Sequence, residues 1–121
     1  MTDFNFVLLY VDDPAASAVF YAALLGHKPI EEAPTFVMFA LDSGVKLGLW
    51  SRTTVAPATD AAGGSEIAIA VAGRSAVEAL HDTWRARGVT IIQAPTDMAF
   101  GGTFAAVDPD GHRLRVFGPA D

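Results

Sequence analysis

An α+β fold of two βαβββ modules is what this sequence predicts, and three observations lead there. The order of strand-like and helix-like segments in residues 1–50 returns in residues 66–121. Each half has one helical segment that closes on a glycine, Gly26 and Gly88. Between the halves lies SRTTVAPATDAAGGS, residues 51–65, small, polar and aperiodic, which reads as a linker. The expected organisation is one domain over 1–121, with module one at 1–50, the linker at 51–65 and module two at 66–121.

In module one, residues 4–11, FNFVLLYV, read as a strand with Val7, Leu9 and Val11 on one face and Phe6, Leu8 and Tyr10 on the other. Asp13 is an N-cap candidate with Pro14 in the first helical position, and the helix runs to Gly26. Val19, Phe20, Ala23 and Leu24 keep helical spacing along it. Short strands follow at 29–32, 36–41 and 45–50, the last two joined by the hairpin signal Asp42-Ser43-Gly44. In module two, a strand at 66–71 alternates Ile67, Ile69 and Val71 against Glu66, Ala68 and Ala70. Ser75-Ala76-Val77-Glu78 has the form of a capping box, and Val77, Leu80 and Trp84 share an apolar helix face. Strands at 89–93, 103–107 and 113–117 complete the module; the turn Asp-Pro-Asp-Gly, residues 108–111, joins the last two. Val11 and Val71 stand 60 residues apart, Gly26 and Gly88 62, Leu47 and Leu114 67, the drift expected of a repeat that has taken loop insertions.

Composition narrows the function. With 121 residues and 51% hydrophobic content the chain reads as globular. No apolar run reaches the roughly 18 residues that span a bilayer, and MTDFNF has no basic start or small-residue cleavage site, so no membrane partner and a cytoplasmic location are expected. The absence of cysteine excludes disulfides, thiolate metal sites and a cysteine nucleophile. A net charge of −6 with scattered basic residues argues against nucleic acid.

In each module one sheet face is left bare by the helix. Alternation assigns Phe6, Leu8, Tyr10, Phe36, Met38, Lys46, Gly48 and Trp50 to the first bare face, and Glu66, Ala68, Ala70, Phe104, Arg113, Arg115 and Phe117 to the second. Two such faces turned toward each other, on curved mixed sheets, would enclose a cleft with aromatic walls and few charges, the usual make-up of a small-molecule site.

With its βαβββ repeat, VDDPAASAVFYAALLG after the first strand and DPDGHRLRVF at the end, the chain resembles the vicinal oxygen chelate superfamily, also called glyoxalase/bleomycin resistance/dioxygenase. Metal-dependent members carry four ligands on the first and last strands of each module. By pattern those positions fall at Phe6, Trp50, Glu66 and Arg115, of which only Glu66 has a usable lone pair; no metal and no other cofactor is therefore expected. LWSR, SEIAIAV and DMAFGGTFAAVDPDGHRLRV are similar to the phenazine-antibiotic resistance binding proteins. That resemblance implies a homodimer with exchanged modules that binds a small planar aromatic, antibiotic-like ligand, stacked on Trp50, without chemistry. A metal-dependent glyoxalase, dioxygenase or thiol transferase is the alternative.

Each site candidate has a plainer reading. Trp50 reads equally as a core tryptophan. Glu66 and Arg115 should lie near each other across the cleft, as a structural ion pair or as an arginine that meets a ligand anion while Glu66 holds it. Glu66 alone, its pKa raised by burial, would be a general base. Phe6, Tyr10, Phe36, Met38, Phe104 and Phe117 read either as the core of a tightly closed barrel or as cleft residues, some lining the pocket and others plugging its ends. TDMAFGG, residues 96–102, reads as a loop at the mouth with Phe100 as a lid contact. His27, His81 and His112 belong to different elements and read as solvent-facing.

Overall fold

The computed structural model describes residues 3–56, 58, 61–62 and 64–120; positions 57, 59, 60 and 63 of the expected linker lie outside them. The chain divides into two compact units, Met1–Ala61 and Ala62–Asp121. Each has two mixed-sheet features in common: the element order βαβββ and a four-stranded sheet.

The first unit consists of β1 (Phe6–Val11), α1 (Pro14–Leu25), β2 (Glu31–Ala33), β3 (Phe36–Ala40) and β4 (Lys46–Ser51). Its sheet runs β1-β4-β3-β2, with β1 parallel to β4 and the other pairs antiparallel. One face is buried on α1: Leu9, Val11, Val37, Phe39, Leu47 and Leu49 pack there with Ala18 and Tyr21. Entry into α1 is as expected. The Asp13 carboxylate accepts from the amides of Ala15 and Ala16 at 3.1 and 3.3 Å, with Pro14 in the first turn, and Gly26 ends the helix in the left-handed conformation at φ 68°. Asp13→Ala is expected to cost about 1 kcal/mol, since both amides lose their side-chain acceptor; chemical denaturation checks it.

The buried side of α1 differs from the expected one. Pro14, Ser17, Ala18 and Tyr21 face the sheet, whereas Val19 is 74% exposed and Ala23 is also exposed. The helix, PAASAVFYAALL, is apolar nearly all round, so periodicity offers several stripes and sheet packing selects among them.

The second unit repeats the plan with β5 (Glu66–Ala70), α2 (Arg74–Ala86), β6 (Thr90–Met98), β7 (Gly101–Val107) and β8 (Arg113–Gly118), in the order β5-β8-β7-β6 and with β5 parallel to β8. Helix α2 lies on β6, β7 and β8. Its buried side chains are Val77, His81 and Trp84, and the rings of His81 and Trp84 meet Phe104 edge-on, with centroids 5.4 and 5.3 Å away. His81 is thus a core residue, not the solvent-facing one expected; its Nδ1 lies 3.1 Å from the carboxylate of Asp82. The expected capping box is absent. Helix α2 begins one residue before Ser75, at Arg74, with Gly73 as N-cap and no side-chain cap bond.

A further difference involves β6 and β7. Thr96–Gly102 is mostly strand: β6 runs to Met98, pairs with Gly101 and leaves only Ala99 and Phe100 in the turn, so residues 96–102 form a hairpin rather than a loop. Gly101 is required at its start, at φ 130°, because a Cβ there would overlap the Gly118 carbonyl oxygen. At the other end, the Asp108 carboxylate organises the turn into β8 by accepting from the amides of Asp110 and His112 at 2.9 and 2.8 Å. Among the described residues no helix is long and apolar enough to cross a membrane.

Candidate functional site

Each sheet has one face on its helix, and the expected site residues that lie on strands are found on the other face with one exception. In the first unit, Tyr10, Trp50 and Phe36 are register partners on β1, β4 and β3, which sets three half-buried aromatics in a row across three strands. Tyr10 meets Trp50 edge-on, with centroids 6.1 Å apart at 74°. Gly48 lies one pair further along, opposite Leu8 and Met38. A Cβ on it would come within 2.7 Å of Leu8 Cδ2 and 2.8 Å of Phe36 Cζ, so both side chains lie down over the glycine. Phe6 is 41% exposed on the same strand as Tyr10. An apolar, aromatic surface of this kind can hold a flat hydrophobic molecule by stacking and burial.

Phe104 is the exception. The turn at 108–112 sets Val107 opposite Arg113, so Phe104 falls opposite Val116 and on the helix side, fully buried. The open-face residues of β7 are Thr103, Ala105 and Val107, partners of Phe117, Arg115 and Arg113. Phe100 is 49% exposed in the β6–β7 turn and packs edge-on against Phe117, centroids 6.0 Å apart.

Glu66 and Arg115 do meet, but within one sheet, on the neighbouring strands β5 and β8. Arg115 Nε donates to Glu66 Oε2 and Nη2 to Oε1, both at 2.8 Å, a two-pronged fork. Its Nη1 donates to Gln93 Oε1 at 2.9 Å and to Thr103 Oγ1 at 3.1 Å, and the Thr103 hydroxyl donates on to the Val116 carbonyl at 2.7 Å. Four of the five guanidinium N–H groups are therefore engaged by the protein itself. The Arg115 hydrogen bond holds the Glu66 carboxyl below its ordinary value, outweighing the upward push of burial; the charges of Arg115 and Arg113 add to the lowering. Glu66 in turn raises Arg115. A carboxylate held ionised by two hydrogen bonds is a poor general base, which reverses the expectation of a burial-raised Glu66.

The sign of that shift sets a pH dependence. Because the folded protein holds the Glu66 proton more weakly than the unfolded chain, the ion pair contributes fully above the ordinary value of 4.5 and is lost as pH falls through the lowered one. The stability difference between the native protein and Glu66→Gln is expected to be constant above about pH 5 and to shrink below it, as measured by denaturant unfolding across pH.

Gln93 was not expected on this face, and its arrival has a local cause. Ile91 is opposite Ala106, yet Gln93 is opposite Ala105, so β6 carries one extra residue there and a second irregularity before Thr96. Simple alternation would turn Gln93 toward α2; the bulge turns it to Arg115 instead. Pro95, which cannot donate to a ladder, is the sequence signal of irregularity in this stretch. Beside these groups is a concavity of about 590 Å³ in the second unit. Ile92, Ala105 and Val107 supply its apolar wall, Gly111 its rim, and Gln93, Arg113 and Arg115 its polar groups.

The residues present do not fit the metal of metal-dependent relatives. Phe6 and Trp50 offer no donor, Arg115 is a cation, and both oxygens of Glu66 are held by the Arg115 fork. Among the described residues no group of three or more His, Cys, Asp or Glu is placed to hold a metal ion.

Comparison with known proteins gives three results. The sequence model of the Glyoxalase/Bleomycin resistance protein/Dioxygenase superfamily matches residues 3–116. The chain is 30% identical over 115 residues to the phenazine antibiotic resistance protein EhpR of Enterobacter agglomerans, covering 93% of this chain and 88% of that one. Among solved structures, an Agrobacterium tumefaciens protein determined by NMR in solution is 50% identical over the whole of both chains with a TM-score of 0.91. A Nocardioides glyoxalase/bleomycin resistance protein/dioxygenase shares the fold at 23% identity and a TM-score of 0.85, covering all of this chain and 85% of that one.

Proposed function

The chain belongs to the glyoxalase/bleomycin resistance protein/dioxygenase superfamily, and within it we propose a metal-independent binding protein that sequesters a small planar aromatic compound of antibiotic type. The observation that carries this is the row Tyr10–Trp50–Phe36 on the open face of the first sheet. Three aromatics in register, with Phe6 and Met38 beside them, form a surface suited to one flat ring system. The likeness to a phenazine resistance protein supports the same ligand class. Protection then needs only stoichiometric binding, which lowers the free concentration of the compound. A homodimer and a cytoplasmic setting belong to this proposal on the resemblance alone.

Chemistry finds little support in the site. Glu66 is held ionised by Arg115, and the four positions that carry a metal in metal-dependent relatives contain a single possible ligand. The test is a titration of Trp50 fluorescence with phenazine, in a Trp84→Phe background that leaves one indole. Saturable quenching, with the phenazine recovered unchanged and no metal dependence, is the expected result. A changed product, or binding that requires added Zn, Ni, Fe or Mn, would establish the enzyme alternative.

A further inference from the structure

Gly48 stands in the interior of β4, a strand paired on both sides, opposite Leu8 of β1 and Met38 of β3. It is not among the glycines at positive φ, so the backbone has no need of a glycine here. A glycine inside a strand also weakens it, having no side chain to pack and more freedom to lose. What the position uses is the missing Cβ. An added Cβ would stand 2.7 Å from Leu8 Cδ2, 2.8 Å from Phe36 Cζ and 2.9 Å from Phe36 Cε1. All three are closer than the roughly 3.5–4.0 Å of an ordinary carbon–carbon contact. Side chains in a strand ordinarily stand about perpendicular to the sheet. Here Leu8 and Phe36 lean over β4 from its two neighbouring strands and cover the glycine. Gly48 is buried although it belongs to the open face, while Leu8 keeps 46% exposure and Phe36 stays half-buried, both open to a ligand.

We infer that Gly48 is a specificity-determining residue: by letting Leu8 and Phe36 lie flat it levels the floor beside Trp50, and so selects rigid planar ring systems over twisted apolar molecules of similar size. This rests on the aromatic-binding function proposed above and names what makes the same face discriminate by shape. Hydrophobic burial alone does not discriminate, because it is non-directional and follows the area removed from water. Close contact does, because a gap of about 0.5–1 Å already forfeits a quarter to a half of the dispersion attraction. A rigid fused ring keeps all its atoms in contact only on a level floor. A Cβ at position 48 would push the far ends of two side chains outward and raise a ridge next to the indole. Those ends can move without the sheet, so the fold is expected to survive the change.

Phenazine and diphenylamine test this: their apolar areas are similar, but phenazine is fused and flat, whereas the rings of diphenylamine twist about its nitrogen. In calorimetric titrations the native protein is expected to bind phenazine about tenfold more tightly than diphenylamine. In Gly48→Ala the ratio is expected to fall to near one, chiefly through weaker phenazine binding, with the melting temperature little changed. Leu8→Val, at an exposed position and without touching β4, takes away the δ carbon that covers the glycine. A partial fall in the ratio is expected there, and this variant decides the matter if Gly48→Ala does not fold. Equal binding of both probes by the native protein, or a phenazine preference undiminished in the deciding variant, overturns the inference and leaves aromatic binding standing. Failure of the native protein to bind phenazine removes the proposed function and this inference with it.

Discussion

Truncation of Trp84 to alanine is expected to lower the unfolding free energy by about 3–5 kcal/mol, the range for a large aromatic removed from a packed core. Trp84 is 1% exposed, the largest fully buried side chain, and sits edge-on to Phe104, which is itself fully buried between α2 and the second sheet. Val77, His81 and Phe104 are held by their own elements, so the space it leaves closes only in part. Against a total of about 5–15 kcal/mol for an ordinary domain, the loss is a large share. A melting temperature lower by on the order of 10–20 °C follows. Trp84→Phe, which keeps an aromatic edge, is expected to lose much less. Calorimetric melting of the three proteins decides the matter, and a fall of under 1 kcal/mol for the alanine variant would mean that α2 is not packed through this residue.

Trp50→Ala is expected to act on binding and only mildly on stability. Trp50 is half-buried on a bare face, with Tyr10 edge-on beside it, so its removal opens no closed cavity. A flat ligand would lose both stacking and the apolar area it covers there, together about 2 kcal/mol, or roughly a thirtyfold rise in Kd. Trp50→Phe, which preserves a smaller stacking surface, is expected to fall between. The pairing of a large effect on affinity with a small effect on melting separates a ligand platform from a core tryptophan, the two readings the sequence left open.

Much of this architecture was legible in the sequence because the strongest signals are local. Asp13-Pro14 and Gly26 delimit α1, the alternation of Leu114 and Val116 against Arg113 and Arg115 sorts β8, and the turn at 108–111 marks the final hairpin. The errors arose where a side chain's direction depends on its partner strand. Phe104 changed faces because the turn length sets which residues of β7 and β8 are opposite each other. Gln93 came to the open face through a bulge that no period-two count includes. In α1 an all-apolar helix carried no directional information, and in α2 a histidine took a core position that composition would not assign to it. Glu66 and Arg115 were recognised as a pair, yet the number of bonds that satisfy Arg115 could not be counted without Gln93 and Thr103 in place.

The central claim is that the Trp50 face binds a planar aromatic without transforming it. The most direct measurement is calorimetric titration of phenazine into the native protein and into Trp50→Ala, with the recovered ligand analysed afterwards. Saturable binding by the native protein, roughly thirtyfold weaker binding by the variant and phenazine recovered intact are expected. Equal affinity in the two proteins, or a chemically altered ligand, would contradict it.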